Sequence, residues 1–388
     1  MDIFNQVVDR HMTKSFKWDA VNEIFKMDDV LPMWVADMDF KAPEVVNEAI
    51  KERANHGIYG YTIIDQTVID SVKNWVYNRY QWSIKSSWLS FSPGVITSLR
   101  TAIEVFTKQN DKILIQTPVY PPFFQIIEGL GREIIKNPLE LNGDYYKINL
   151  LDFEEKLKSG VKAFILCSPH NPVGRVWTKE ELNEMARLCL KYDVLILSDE
   201  IHADLVYGRK IHTPIATLSD TIAEQTITFM SPTKTFNIAG LQVSYVITPN
   251  KQYKLLLQQA LEQKGHSMLN TIGVIALEAA YNYGNDWLDE LIDVLSDHKD
   301  YVKNRLESET SLKVIRSEGT YLLWIDCSSL QMNSNELQTF MVKKAKVGLN
   351  PGIAYGEEGA NFMRINIACP RQTLEEGVER IIKAVQNL

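Results

Sequence analysis

Residues 163–199 read AFILCSPHNPVGRVWTKEELNEMARLCLKYDVLILSD, and the fold is decided here. An apolar run, Ala163–Cys167, ends in Ser168-Pro169. A helical stretch runs from Thr178 to Tyr192, opened by Thr178 with Glu181 three residues on, the signature of a capping box. A second apolar run, Val194–Leu197, then ends in Ser198-Asp199. Both runs are apolar throughout rather than alternating, as strands buried on both faces are.

The same unit recurs on either side. Trp88–Phe91 and Lys112–Gln116 precede it, Thr226–Met230 comes after it, and a helix is expected over Val95–Phe106. Strand and helix in alternation predict an α/β fold with a mostly parallel sheet in a large domain, covered on both faces. Gln242–Ile247 adds a further candidate strand. Upstream, helices are expected over Glu44–Asn55 and Val68–Tyr80, and residues 1–45 are irregular.

After about Gly273 the pattern changes. A long helical region runs to Glu307 with a break near Gly284. Short strands at Lys313–Ile315 and Tyr321–Ile325, a helix near Glu336–Lys346 and a strand at Phe362–Ala368 come next. A last helix is expected from Thr373, with Glu376 in capping position. This tail reads as a smaller α+β domain. The expected division is a large domain over 46–280 and a small one built from 1–45 and 281–388, with the N-terminal segment packed on the tail.

Composition narrows the function classes. The chain has 388 residues, 45% hydrophobic and 23% charged, with a formal net charge of -8. That excludes a basic nucleic-acid-binding face, and no helix-turn-helix segment stands out. No apolar run reaches the ~18–20 residues that span a membrane. The four cysteines, Cys167, Cys189, Cys327 and Cys369, form no close pair and read as buried free thiols. The N-terminus lacks the charged and apolar regions of a signal peptide, so a cytoplasmic setting is expected.

In parallel α/β sheets ligands bind beyond the carboxyl ends of the strands. The residues just beyond each apolar run are therefore the informative ones. Trp88–Phe91 leads to Ser92-Pro93-Gly94-Val95-Ile96, a helix N-terminus able to hold a phosphate. Lys112–Gln116 leads to Tyr120 between prolines, an aromatic plate. The next three runs lead to Asn171, to Asp199 with His202, and to Ser231-Pro232-Thr233-Lys234. Pyridoxal 5'-phosphate (PLP) needs this set: donors for its phosphate, a flat neighbour for its ring, a carboxylate for its pyridine nitrogen, a donor for its ring oxygen and a lysine for its aldehyde.

Taken singly, each residue has an ordinary structural reading. A lysine after a strand is usually solvated, Asp199 could cap a helix, Asn171-Pro172 could be only a turn, and His202 could be a satisfied core histidine. Their common position after five strands is what joins them.

Three of these stretches, SPHNPVGRVW, LSDEIHADL and SPTKTFNIAGLQ, resemble the signatures of fold type I PLP enzymes, the aspartate-aminotransferase superfamily. FMRINIACPR resembles that superfamily's carboxylate-binding segment. The resemblance implies that Lys234 anchors PLP as a Schiff base and that Asp199 pairs with the pyridinium. Asn171 and His202 would contact the ring oxygen, and Tyr120 would stack on the ring. Ser231, Thr233 and the amides of Val95 and Ile96 would hold the phosphate. Lys234, Asp199 and Tyr120 then form the catalytic set, and Arg364 binds the substrate carboxylate as a bidentate pair.

One departure narrows the family. Gln242 stands where many aminotransferases carry an arginine to the phosphate. That feature, with Lys17-Trp18-Asp19, LPMWVADMDFKAPEVV and HGIYGYT, resembles the MalY/PatB-type cystathionine β-lyases over nearly the whole chain. In that group the second tyrosine of YGYT, here Tyr61, reaches the phosphate of a neighbouring subunit, which implies a homodimer with a shared site. The implied reaction is β-elimination on L-cystathionine or another S-substituted L-cysteine. An aminotransferase shares every residue named, and a regulatory binding role on the same fold is the third reading. Met33, Trp34, Tyr355 and the Gly352–Gly359 loop are candidate pocket walls, the loop being either mobile or an ordinary connection.

Overall fold

The computed structural model describes residues 3–208, 210–266 and 268–388. Seven strands form the main sheet. In chain order they are β1 (Leu89–Ser92), β2 (Lys112–Ile115), β3 (Glu133–Lys136), β4 (Val161–Cys167), β5 (Leu195–Asp199), β6 (Thr226–Met230) and β7 (Ser244–Ile247). Their spatial order is β1-β7-β6-β5-β4-β2-β3. Neighbours are parallel except β7, which runs antiparallel to both β1 and β6. The six remaining strands therefore point one way, and the residues beyond their carboxyl ends share one sheet edge.

The apolar runs become strands because both faces are covered. Residues 162–166 alternate between faces after the exposed Lys162, yet Ala163, Phe164, Ile165 and Leu166 are all buried. The Val95–Phe106 helix packs on one face, and the Lys179–Lys191 helix covers the other with Leu182, Met185 and Ala186. Thr178 and Glu181 make both bonds of the capping box. The same Glu181 carboxylate accepts from the buried Arg175 at 2.7 Å, tying the helix start to the loop after β4.

A second sheet lies in the tail. Its strands are β8 (Lys313–Val314), β9 (Leu322–Asp326), β10 (Asn350–Pro351) and β11 (Phe362–Asn366), in the order β8-β9-β11-β10. The N-terminal segment is tied to the tail through a separate two-stranded sheet: Leu31 and Pro32 pair in parallel with Val347 and Gly348, and Asp39 N–H donates to the Ala368 carbonyl at 2.8 Å.

Three expectations need correction. The last helix spans Arg371–Gln386 and its N-cap is Pro370, so Thr373 lies in the first turn and caps nothing. The Thr373–Glu376 spacing mimics a capping box, but Leu374 N–H already donates to the Pro370 carbonyl at 3.1 Å, so the helix has begun. The expected Glu336–Lys346 helix is Ser334–Lys343, capped by Asn333 with Glu336 as its reciprocal partner. Residues 1–45 include two short helices, Phe16–Asp19 and Val21–Phe25. The four cysteines are buried and free. Among the described residues no helix is long and apolar enough to cross a membrane.

Candidate active site

Lys234 sits in a one-turn helix, Pro232–Thr235, immediately after β6. Ser231 caps that turn: its hydroxyl accepts from Thr233 N–H at 3.1 Å and donates to the Val243 carbonyl at 2.7 Å. Thr235, next to the lysine, donates to the buried Asp204 carboxylate at 2.7 Å, and Asp204 also accepts from Trp75 and Tyr80. The turn is thus held from both ends. Lys234 Nζ donates to the Ala36 carbonyl at 2.6 Å. Burial lowers its pKa to about 8 against the opposing pull of Asp37, while Arg364 lowers it further. Near that value about a tenth of the amine is unprotonated at pH 7 and about half at pH 8, so a nucleophile or base is within reach at mildly basic pH.

Asp199 ends β5 and is 4% exposed. Burial raises its pKa to about 7, with only the Ile201 N–H and the Lys234 charge acting the other way among its main influences. A buried carboxylate at this cost suits a cationic partner such as a pyridinium. His202 is buried beside it. Its Nδ1 has no hydrogen-bond partner, and burial with the charges of Lys234 and Arg364 lowers its pKa to about 3, so the ring is neutral.

Arg364 is central to β11 and 3% exposed. It donates to the Trp34 carbonyl at 2.9 Å and to Asn171 Oδ1 at 3.1 Å, and it lies over the Tyr355 ring at 5.2 Å. Its Nε has no partner. Other buried cations nearby meet an acid: Lys17 lies 2.7 Å from Asp39, and Arg175 lies 3.2 Å from Glu318. A buried guanidinium held by neutral acceptors is a ready carboxylate site.

Asn171 joins the two halves, since its Oδ1 is spent on Arg364 and its amide N–H groups are left to donate. Tyr120 caps the Pro121–Gly129 helix, its ring edge-on to Phe123 at 5.8 Å. Burial and the Asp199 charge hold its phenol above the usual tyrosine range, so it stays neutral.

The groups expected to hold a phosphate lie at the ends of β1, β6 and β7. Gly94 is the N-cap of the Val95–Phe106 helix and has no side chain to satisfy the first N–H groups, Val95 and Ile96 among them. Ser92 and Ser244 hydroxyls bond at 2.7 Å across β1 and β7, beside Val243 and Ser231. Ser231 and Thr233 hydroxyls bond each other at 2.7 Å.

Lys234, Asp199, His202, Arg364, Tyr120 and Asn171 therefore converge. Tyr61 does not join them within one chain: it is 93% exposed. Its neighbour Thr62 bonds Thr271 at 2.5 Å, so the segment is anchored while the ring points outward. Gln242 is also exposed, at a left-handed φ of 52° that closes the Ala239–Leu241 turn.

The candidate walls divide. Met33 is core, packed on Gly377. Trp34 packs its ring between Phe16 and Phe25 and offers the site its carbonyl. Tyr355 lies on Arg364. The Gly352–Gly359 loop is two short 3-10 turns, and a Cβ on Gly352 would come within 2.2 Å of the Gly359 carbonyl, so only glycine allows this contact. Sequence reasoning missed Ala36, Tyr321 and Asn366. Tyr321 donates to the Ala36 carbonyl at 2.9 Å, and Asn366 donates to the carbonyls of Val35 and Asp37, both at 2.6 Å.

A mainly parallel seven-stranded sheet, with an acid ending one central strand and a lysine just beyond the next, is the fold type I architecture of PLP-dependent transferases. The chain belongs to the aminotransferase class I and II family, whose model matches residues 28–381. It is 45% identical to cystathionine beta-lyase PatB of Bacillus subtilis, over 98% of this chain and 99% of that protein. A PLP-bound putative aminotransferase from Clostridium difficile is also 45% identical, with a TM-score of 0.96 over 98% of this chain and 99% of the other. Cystalysin from Treponema denticola, a structure containing pyridoxal 5'-phosphate, is 36% identical with a TM-score of 0.96, covering 99% and 98% of the two chains.

Proposed function

We propose that this chain is a PLP-dependent carbon–sulfur β-lyase acting on L-cystathionine or other S-substituted L-cysteines. One observation carries the reading: a half-buried lysine, a buried aspartate and a buried guanidinium that pairs with no acid among the described residues meet at one sheet edge, in a chain 45% identical to a cystathionine beta-lyase.

PLP, when bound, supplies an electron sink for the charge left at the substrate Cα. The chain's own residues do the rest. Arg364 takes the α-carboxylate and orients the Cα–H bond. Asp199 keeps a proton on the pyridine nitrogen. Asn171 and His202 serve the ring oxygen, Tyr120 covers the ring, and the Val95 and Ile96 amides with the Ser231 and Thr233 hydroxyls hold the phosphate. Lys234 Nζ accepts the Cα proton. The Cβ–S bond breaks with its electron pair leaving on sulfur as a thiolate, and the three-carbon remainder takes up water to give pyruvate and ammonia.

A homodimer with a shared site is part of the proposal. Its support is the exposed run Ile58, Tyr59, Tyr61 and Ile63, anchored to the chain through Thr62. The division into 46–280 and 1–45 with 281–388 is proposed on similar terms: the main-sheet strands all fall within 89–247 and the second-sheet strands within 313–366. Four unpaired buried thiols favour a reducing, cytoplasmic setting.

The putative aminotransferase of similar identity favours transamination as a second reading. One assay separates the two. Purified protein with PLP and L-cystathionine, but no keto acid, should release pyruvate and thiol continuously. Turnover that begins only when a keto acid is added would overturn the lyase reading.

A further inference from the structure

The segment Trp34–Met38 crosses the site as a strap, and its carbonyls are spoken for one by one. Trp34 accepts from Arg364 at 2.9 Å, and Val35 and Asp37 both accept from Asn366. The Asn366 Oδ1 is fixed in turn by Ala368 N–H at 2.8 Å. Between these clamps, the Ala36 carbonyl receives two donors: Lys234 Nζ at 2.6 Å and Tyr321 Oη at 2.9 Å. Tyr321 itself has little freedom, its ring being buried edge-on to His202 at 5.9 Å. Its backbone carbonyl accepts from Ile367 N–H at 3.0 Å, between β9 and β11.

We propose that the Ala36 carbonyl is the resting acceptor of the free Lys234 amine, that Asn366 aims it, and that Tyr321, by occupying the same oxygen, favours the amine over the ammonium. The inference rests on Lys234 being the reactive amine of the proposed site.

The physical case has two parts. An ammonium has three donors and gains most from a carbonyl acceptor that stays put. Holding the flanking carbonyls keeps Ala36 in place, so Asn366 supports the protonated form. A neutral hydroxyl on the same oxygen acts oppositely. It uses one lone pair, and its positive hydrogen faces the ammonium hydrogens, so it gives the unprotonated amine an advantage. The other charges facing Lys234 are Asp37 on the strap, Asp199 on β5 and Arg364 on β11, with the neutral His202 alongside. Neither the Tyr321 hydroxyl nor the Asn366 amide bonds any of these charged groups; Asn366 reaches Asp37 only at its backbone carbonyl, and Tyr321 meets His202 only ring to ring. Asp37 is additionally held by Arg10 at 2.8 Å. Asn366 and Tyr321 touch no substrate in this scheme; they are positioning residues that act through Ala36 and Lys234.

The test uses the full-length chain freed of PLP, pulse-labelled with acetic anhydride across a pH series. Mass spectrometry of the Lys234 peptide gives the midpoint of that amine. Tyr321→Phe should raise the midpoint by about half a pH unit or more, and Asn366→Ser should lower it. Opposite signs are the signature, since general loosening would move both variants the same way. An unchanged or lowered midpoint in Tyr321→Phe overturns the proposal, as does a raised one in Asn366→Ser. If Asn366→Ser does not fold, Tyr321→Phe decides alone. The readout needs neither cofactor nor turnover, so a wild-type protein inactive on cystathionine would sink the lyase reading and leave this result standing.

Discussion

Asn171 Oδ1 accepts a hydrogen bond from Arg364 at 3.1 Å, so the proposed cofactor-binding asparagine and the proposed substrate clamp form one unit. Arg364→Lys should therefore be far from conservative. Lysine keeps the charge but loses the planar fork, and it cannot hold Trp34, Asn171 and a carboxylate together. We expect KM to rise about 10- to 100-fold, the loss of roughly 1.4–2.8 kcal/mol of carboxylate binding. PLP retention should change little. Steady-state kinetics on L-cystathionine, read beside the cofactor absorbance, check this; an unchanged KM would remove Arg364 from the substrate site.

Asn171→Ala should show the opposite balance. It removes donors from the cofactor end and frees one Arg364 N–H. PLP should dissociate more readily, by about tenfold for a charge-assisted bond of ~1.4 kcal/mol. Equilibrium dialysis against PLP gives the number.

Two pH trends arise from Asp199 and Lys234. Asp199 has a folded pKa raised to about 7 by burial, so the folded chain without PLP binds more protons than the unfolded chain between about 4 and 7. Its contribution makes the protein less stable as pH rises through that window. Lys234 is lowered to about 8 from 10.5, so the folded chain binds fewer protons between those values, and stability from this group rises with pH. Thermal unfolding of the PLP-free protein against pH should show Asp199→Asn losing the fall and Lys234→Met losing the rise. Identical profiles for wild type and Asp199→Asn would show that Asp199 ionises normally.

Why some of this was legible in the sequence and some not has a physical reason. β2, β4, β5 and β6 are buried on both faces, so they read as continuous apolar runs whose ends are marked by Pro, Asn, Asp or Ser. The site residues lie just beyond those ends, and they could be located one by one. β3 was missed because it is the sheet edge, with Glu133 exposed and the rest half-buried. The Pro121–Gly129 helix was hidden behind its own prolines, which sit at the first turn where their missing N–H costs nothing. Ala36, Tyr321 and Asn366 left no local signal. Their roles run through backbone carbonyls met from 285 and 331 residues away. The lysine was legible, but the groups that set its proton affinity were not.

Lys234→Ala should abolish covalent retention of PLP. Borohydride treatment of wild type should leave a pyridoxyl group on the Lys234 peptide by mass spectrometry, and the variant should carry none. Activity should fall by at least about 10³-fold, because nucleophile and base are lost together. A variant that still traps PLP on another lysine would refute the assignment.

The shared site can be tested by complementation. Tyr61 is 93% exposed in its own chain, while Lys234 is half-buried and bonded to the Ala36 carbonyl. If Tyr61 completes the site of a neighbour, then Tyr61→Ala and Lys234→Ala homodimers are each defective for different reasons. Mixing them through a mild unfolding and refolding step yields hybrids. In each hybrid one site combines the intact Lys234 of one chain with the intact Tyr61 of the other, and the second site lacks both. Random pairing at equal amounts makes about half of the dimers hybrid, each with one working site in two, so activity should recover to about a quarter of wild type. Refolding the two variants separately and then combining them is the control, and it should show no recovery. If the mixture recovers nothing while the hybrids are seen by native mass spectrometry, Tyr61 serves no neighbouring site, and its exposure has another cause.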